Sequence, residues 1–118
     1  MILLDTNAIL WLVTNHKRAK ALAKFAGKFL VSPVSVWELA MLEELGRIRI
    51  RHAIEDDTRW VIDDPSSRLL FAEAARIGWT RDPFDRLIVA HALIRRLKLA
   101  TGDSVMIDNL AKSQLVEL

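Results

Sequence analysis

The chain has 118 residues, of which 52% are apolar and 27% charged, the balance of one ordinary globular domain with a single core rather than of a disordered segment. It contains no cysteine, which excludes a disulfide framework, a thiolate nucleophile and a Cys-based zinc site, and which suits a reducing, cytoplasmic setting. Lys and Arg total 17 against 15 Asp and Glu, a formal charge of +2 that permits a polyanionic partner without arguing for one.

Met1-Ile2-Leu3-Leu4-Asp5 has no basic lead and no long apolar run, so a signal peptide is not expected. Apolar runs such as Ile9 to Val13 are far too short to span a membrane, and no membrane partner is expected. No repeat or Pro/Gly/Ser linker divides the sequence, which reads as a single domain over 1–118.

Short apolar runs alternate with longer helical patterns, the mark of an α/β fold. Ile2 to Leu4 reads as a buried parallel strand that stops at Asp5-Thr6-Asn7, a helix-start cluster, with a helix from about Ala8 to Val13. A second helix is expected from Arg18 to Ala26, ended by Gly27. Phe29-Leu30-Val31 is the next strand, closed by Ser32-Pro33. Val34 to Leu45 then forms a strongly apolar helix stopped by Gly46. A weaker pattern predicts helix over Arg51 to Asp63. Asp64-Pro65-Ser66 starts a helix that reaches Ile77, although a strand near Arg68 to Phe71 is also conceivable. Asp82-Pro83 opens the next helix, which runs to about Arg96, with Asp as cap and Pro in the first turn. Leu97 to Thr101 reads as a strand turned by Gly102-Asp103, and Gln114 to Glu117 as a further strand.

In an open parallel sheet, chemistry gathers beyond the C-terminal ends of the strands. Asp5 and Asp103 fall there, although Asp also caps helices and turns after strands. Glu38 shares a helix face with Val34, Met41, Leu42 and Leu45, and is expected to be buried on most sides. An ionised carboxylate so placed needs a cation, either Arg or Lys or a metal. Asp85 lies in the first turn of its helix and projects with Ile88, Val89 and Ala92. The helix macrodipole favours an acid there, but only by about 0.3–1 kcal/mol. Together the four acids are expected to converge on one edge of the sheet. Two unit charges about 4 Å apart repel by roughly 4 kcal/mol at an effective dielectric near 20. All-oxygen ligation selects hard ions, Mg²⁺ or Mn²⁺, which activate water for attack on a phosphodiester.

At these residues the sequence resembles the PIN-domain family, and within it the VapC toxins of bacterial toxin–antitoxin pairs. Leu4-Asp5-Thr6-Asn7, the segment Ser32-Pro33-Val34-Ser35-Val36-Trp37-Glu38-Leu39-Ala40 and Gly46-Arg47-Ile48 resemble the first two signatures. Arg81-Asp82-Pro83-Phe84-Asp85-Arg86-Leu87-Ile88-Val89-Ala90 with Ala92 resembles the third, and Thr101-Gly102-Asp103 the fourth. The set runs in order along nearly the whole chain.

The resemblance implies a three-layer α/β/α fold with a mostly parallel sheet of four or five strands. It also implies an Mg²⁺- or Mn²⁺-dependent endoribonuclease, an RNA substrate, a homodimer, and inhibition by a cognate antitoxin. By position, Asp5, Glu38, Asp85 and Asp103 become the catalytic and metal-binding quartet. Thr6, Asn7 and Thr101 become supports for those carboxylates. Asp82 holds the site indirectly, and Arg86 pairs with an acid or touches phosphate. The chain departs from the family pattern in two places: Asp64 to Trp79 reads as helix where a clearer strand is expected, and no aromatic follows Asp103 between Ser104 and Leu110.

Other residues stay on the structural side. His16, His52 and His91 have no metal spacing. Trp11 and Trp37 read as core, Trp79 stays open, and the basic Lys17, Arg18, Lys20 and Lys24 read equally as a phosphate groove or a solvated face. Arg47, Arg49 and Arg51 alternate in the same ambiguous way. A phosphorylation-receiver domain also gathers acids at strand ends, but it wants adjacent acids after the first strand, where Thr6-Asn7 stand. A nuclease acting on DNA or in RNA processing is the remaining alternative.

Overall fold

The computed structural model describes residues 1–118. Strand β1 is Ile2–Leu4, buried throughout, with Ile2 and Leu4 facing one core cluster and Leu3 the other. Asp5 ends it by capping helix α1, Thr6–Val13, where its carboxylate accepts the Ala8 N–H at 2.7 Å. The helix expected over Arg18 to Ala26 is instead a 3-10 turn over Lys17–Leu22. Only Leu22 of that segment is buried, so it lacks the apolar stripe that holds a short α-helix in place.

Strand β2, Phe29–Val31, leads into helix α2, Pro33–Glu44, with Ser32 as its cap and Pro33 in its first turn. Gly46, at φ +74°, supplies the left-handed residue just beyond. The helix expected over Arg51 to Asp63 is absent. A 3-10 turn at Ile54–Asp56 and strand β3, Trp60–Ile62, take its place. Trp60 decides the matter: its ring is buried, and its indole N–H donates to the Ile54 carbonyl at 2.8 Å.

Helix α3 is Ser67–Ala75 and covers Arg68 to Phe71, so no strand forms there. Helix α4, Pro83–Arg95, is capped by Asp82, and strand β4 is Lys98–Thr101. Asp103, expected in a turn, caps a further helix, α5, Ser104–Asn109, before strand β5, Leu115–Glu117.

The five strands lie in the order β3-β2-β1-β4-β5, and every pairing is parallel. Helices cover both faces, giving three layers. On one face Ala8, Ile9 and Leu39 pack against Ile2, Leu4 and Ala100. On the other, Leu70 and Ala74 of α3 join Ile88, Val89 and Ala92 of α4 against Leu3 and Leu99. Fully burying each of these larger aliphatic side chains contributes about 1.5–3 kcal/mol. The central strand β1 pairs with β2 on one side and β4 on the other. The order of connections therefore reverses between β1 and β4, and a crevice opens at their C-terminal ends.

Candidate active site

Asp5 stands one residue past β1 and Asp103 two past β4, both at that crevice. Glu38 comes down from α2 and Asp85 from the first turn of α4, two helices packed against each other. All four line one pocket of about 60 Å³, with Thr6, Asn7, Leu42, Ile88 and Met106 completing its wall. That volume admits an ion and a few waters but no nucleotide. No Lys, Arg or His lines it.

Asp5 is buried, while the other three acids are half-buried. The burial on most sides expected for Glu38 is therefore only partial. The supports come from neighbouring hydroxyls. Thr6 donates to Glu38, and Ser35 Oγ lies 3.2 Å from the Thr6 hydroxyl. Thr101 hydrogen-bonds Asp5, and its hydroxyl oxygen accepts the Asp103 N–H at 3.0 Å. Asp103 in turn accepts the N–H groups of Val105 and Met106 at 2.8 and 3.2 Å. Asp5 and Asp103 thus serve as helix caps and as pocket walls at once.

Electrostatics at the pocket run one way. Burial pushes the Asp5 carboxyl up to about 6, against hydrogen bonds from Thr101 and Ala8 and with repulsion from Asp103 and Glu38. Burial, then repulsion from Asp82, Asp103, Glu38 and Asp5, pushes Asp85 up to about 7. Glu38 is raised by burial and by Asp82, against its bond from Thr6. Acids raised by burial and by one another favour any partner that brings positive charge.

An all-carboxylate donor set of this kind fits a hard divalent cation and little else. As placed, no three of the side chains are yet drawn into a common ligand shell. Holding an ion would require the carboxylates to draw closer than they stand.

The remaining expected residues sit around the pocket rather than in it. Asp82 caps α4, accepting the Phe84 and Asp85 N–H groups at 2.9 and 3.2 Å. Arg86 donates from Nε to the Thr80 carbonyl at 2.7 Å and touches no acid. Gly102 lies where a Cβ would come within 2.5 Å of Arg18 Nη2 and 2.7 Å of Trp11 Cη2. A larger residue there would push aside the Arg18 guanidinium, itself stacked 4.4 Å above Trp11, so glycine lets the loop bearing Asp103 pass close beneath it. That restraint on the loop was invisible in sequence, because Trp11 and Arg18 lie some 90 residues before it.

Two aromatic assignments change or settle. Trp37, expected in the core, is 58% exposed and rests against Phe84, ring centroids 4.9 Å apart. Trp79 packs partly buried against the core. His91 is a core histidine, its Nε2 2.7 Å from Asp63 Oδ2.

A family model described as PIN domain matches residues 2–112. No curated protein matches the chain. Among solved structures, a toxin–antitoxin complex from Klebsiella pneumoniae superposes with a TM-score of 0.73 at 20% identity, covering 100% of both chains. The VapBC-1 structure from nontypeable Haemophilus influenzae gives 0.68 at 20% identity, covering 99% of this chain and 98% of that one. VapBC2 from Rickettsia felis, bound to a DNA fragment from its promoter, gives 0.67 at 20% identity over 100% and 99%. At such identities the likeness is one of fold.

Proposed function

The chain belongs to the PIN-domain family, and on that premise we propose that it is the toxin nuclease of a toxin–antitoxin pair, a Mg²⁺- or Mn²⁺-dependent endoribonuclease. One observation carries this reading: four acids from four separate parts of the chain surround one small pocket that no cationic side chain enters. Helix capping accounts for Asp5 and Asp103 one at a time, but not for a gathering of four acids without a cation, which raises Asp5, Glu38 and Asp85 by burial and like-charge repulsion.

Asp5, Glu38, Asp85 and Asp103 would hold the ion. A bound Mg²⁺ or Mn²⁺ supplies a water acidified for in-line attack and positive charge for the leaving oxygen. The chain's own groups prepare the place. Thr6 fixes Glu38, Thr101 steadies Asp5, and the α5 backbone N–H groups lock Asp103. Asp82 pins the first turn of α4 and with it Asp85. Without positive charge at this point, the same four acids would repel the phosphodiester itself.

One of the similar structures is described as a toxin–antitoxin complex, and on that ground we propose a cognate antitoxin for this chain; the homodimer and the cytoplasmic location follow from the sequence resemblance. No helix is long and apolar enough to cross a membrane.

The decisive experiment offers defined RNA and DNA to the protein with Mg²⁺, Mn²⁺ or EDTA, alongside Asp5→Asn. The expected outcome is RNA cutting that needs the metal and is abolished by the substitution. Equal cutting in EDTA removes the mechanism, and cutting of DNA alone transfers the reading to a DNA nuclease.

A further inference from the structure

Trp37 is the largest side chain that the fold leaves exposed, yet it is held in place. It sits on α2 next to Glu38, and Phe84 sits on α4 next to Asp85. The two rings meet at an interplanar angle of 57° and bridge the two helices that carry half of the acidic pocket. Asp82 links the two features: its carboxylate accepts the Phe84 N–H and repels Glu38. The aromatic pair stands one position along each helix from Glu38 and Asp85 without itself lining the pocket, and the pocket is too small for a nucleotide.

We propose that the Trp37–Phe84 pair is a stacking platform for an unpaired base of the RNA strand, next to the phosphodiester that lies at the acids. This rests on the ribonuclease reading above and extends it to the strand: single-stranded, with a base splayed out beside the scissile bond. Unstacked bases of single-stranded RNA are recognised by exposed aromatic faces, and such stacking tolerates any base because each has a π-face. A ring anchored on one side by a second ring loses little freedom when a base arrives. An exposed aromatic also suits a protein interface; the place of this pair, one helix position from Glu38 and Asp85, favours the strand that the acids would cut.

The test uses the whole protein and a short single-stranded RNA that it cuts, with an abasic nucleotide walked across the cleavage site. Trp37→Leu is expected to raise KM about tenfold while kcat changes little, and Trp37→Phe to recover most of the loss. Removing the stacked base is expected to cost the wild type a similar factor and to cost Trp37→Leu nothing further. Unchanged KM in Trp37→Leu, or an abasic penalty that persists in it, overturns the platform. So does light scattering that shows Trp37→Leu splitting a dimer, which would place the ring between two copies. The underlying reading fails separately: a wild type that cuts no RNA overturns both, while metal-dependent cutting that ignores Trp37 overturns only the platform.

Discussion

Two acids at one end of the sheet and four in the pocket receive opposite treatment. Asp57 accepts from Arg59 at 2.7 and 3.0 Å, and His52 stands 3.0 Å from it. The Arg59 guanidinium holds its carboxyl far below the usual range. Asp63 follows β3 as Asp5 follows β1, at the same edge. Burial alone would raise it, but His91 at 2.7 Å and Arg95 at 3.0 Å outweigh that and bring it down. A chain with 17 Lys and Arg places cations beside these two acids and none in the pocket. The difference is the one the proposed function requires: the chain neutralises the first two acids itself and leaves the pocket's charge to a bound cation.

Breaking that comparison is a matter of changing one acid of each kind. The largest effect expected is on cleavage: Asp85→Asn loses about a hundredfold or more in kcat/KM, read in the RNA assay, while Asp57→Asn stays near wild type. Next comes the response to metal. Mn²⁺ at about a hundredfold excess over Kd adds roughly 2.7 kcal/mol to wild-type stability, and thermal melts of Asp85→Asn should move far less.

Stability itself then separates the two sets, with opposite signs. In EDTA at pH 7, Asp57→Asn is expected to lose about 1–2 kcal/mol by urea unfolding, because its partner Arg59 is itself half exposed. Asp85→Asn is expected to gain, by less than about 1 kcal/mol, as repulsion is relieved. If both lose stability alike, the pocket acids are structural after all.

The smallest and sharpest effect is in pH dependence. Asp85 is raised from 3.8 to about 7, so over that window the folded state holds more proton than the unfolded one. Its contribution favours folding at low pH and fades as pH rises through about 7. Asp57 is lowered, so its contribution is present above the ordinary carboxylate range and lost as pH falls through its depressed value. Melting curves in EDTA should therefore show Asp85→Asn pulling ahead of wild type as pH climbs from 4 to 8. The deficit of Asp57→Asn should shrink on acidification below pH 4.

Much of this was legible in the sequence. The runs at Ile2, Phe29 and Leu97, and the caps at Ser32-Pro33 and Asp82-Pro83, mark elements whose local chemistry agrees with their place in the fold. β3 was not legible, because its three residues are too few to show a period and its pairing with β2 is decided by the buried Trp60. α5 was hidden because an Asp after Gly looks the same in a turn as at a cap. For the pocket, strand ends and helix starts placed all four acids at one edge. What pattern could not supply was how far each is buried. Trp37 shows the limit: with Val34, Val36 and Leu39 around it, the helix looks apolar on every side, and only the packed layers tell which side meets solvent.

An all-parallel sheet has no hairpins, so each strand must wait for a crossover before it finds its neighbour. During synthesis, a chain that has emerged only as far as residue 80 already owns Asp5 and Glu38, but neither Asp85 nor Asp103. Its central strand still has a bare edge where β4 will dock. The same insertion that closes that edge delivers the last acid. On the proposed reading, a half-made molecule lacks two of its four acids while that edge stands bare, and the arrival of α4 and β4 changes both.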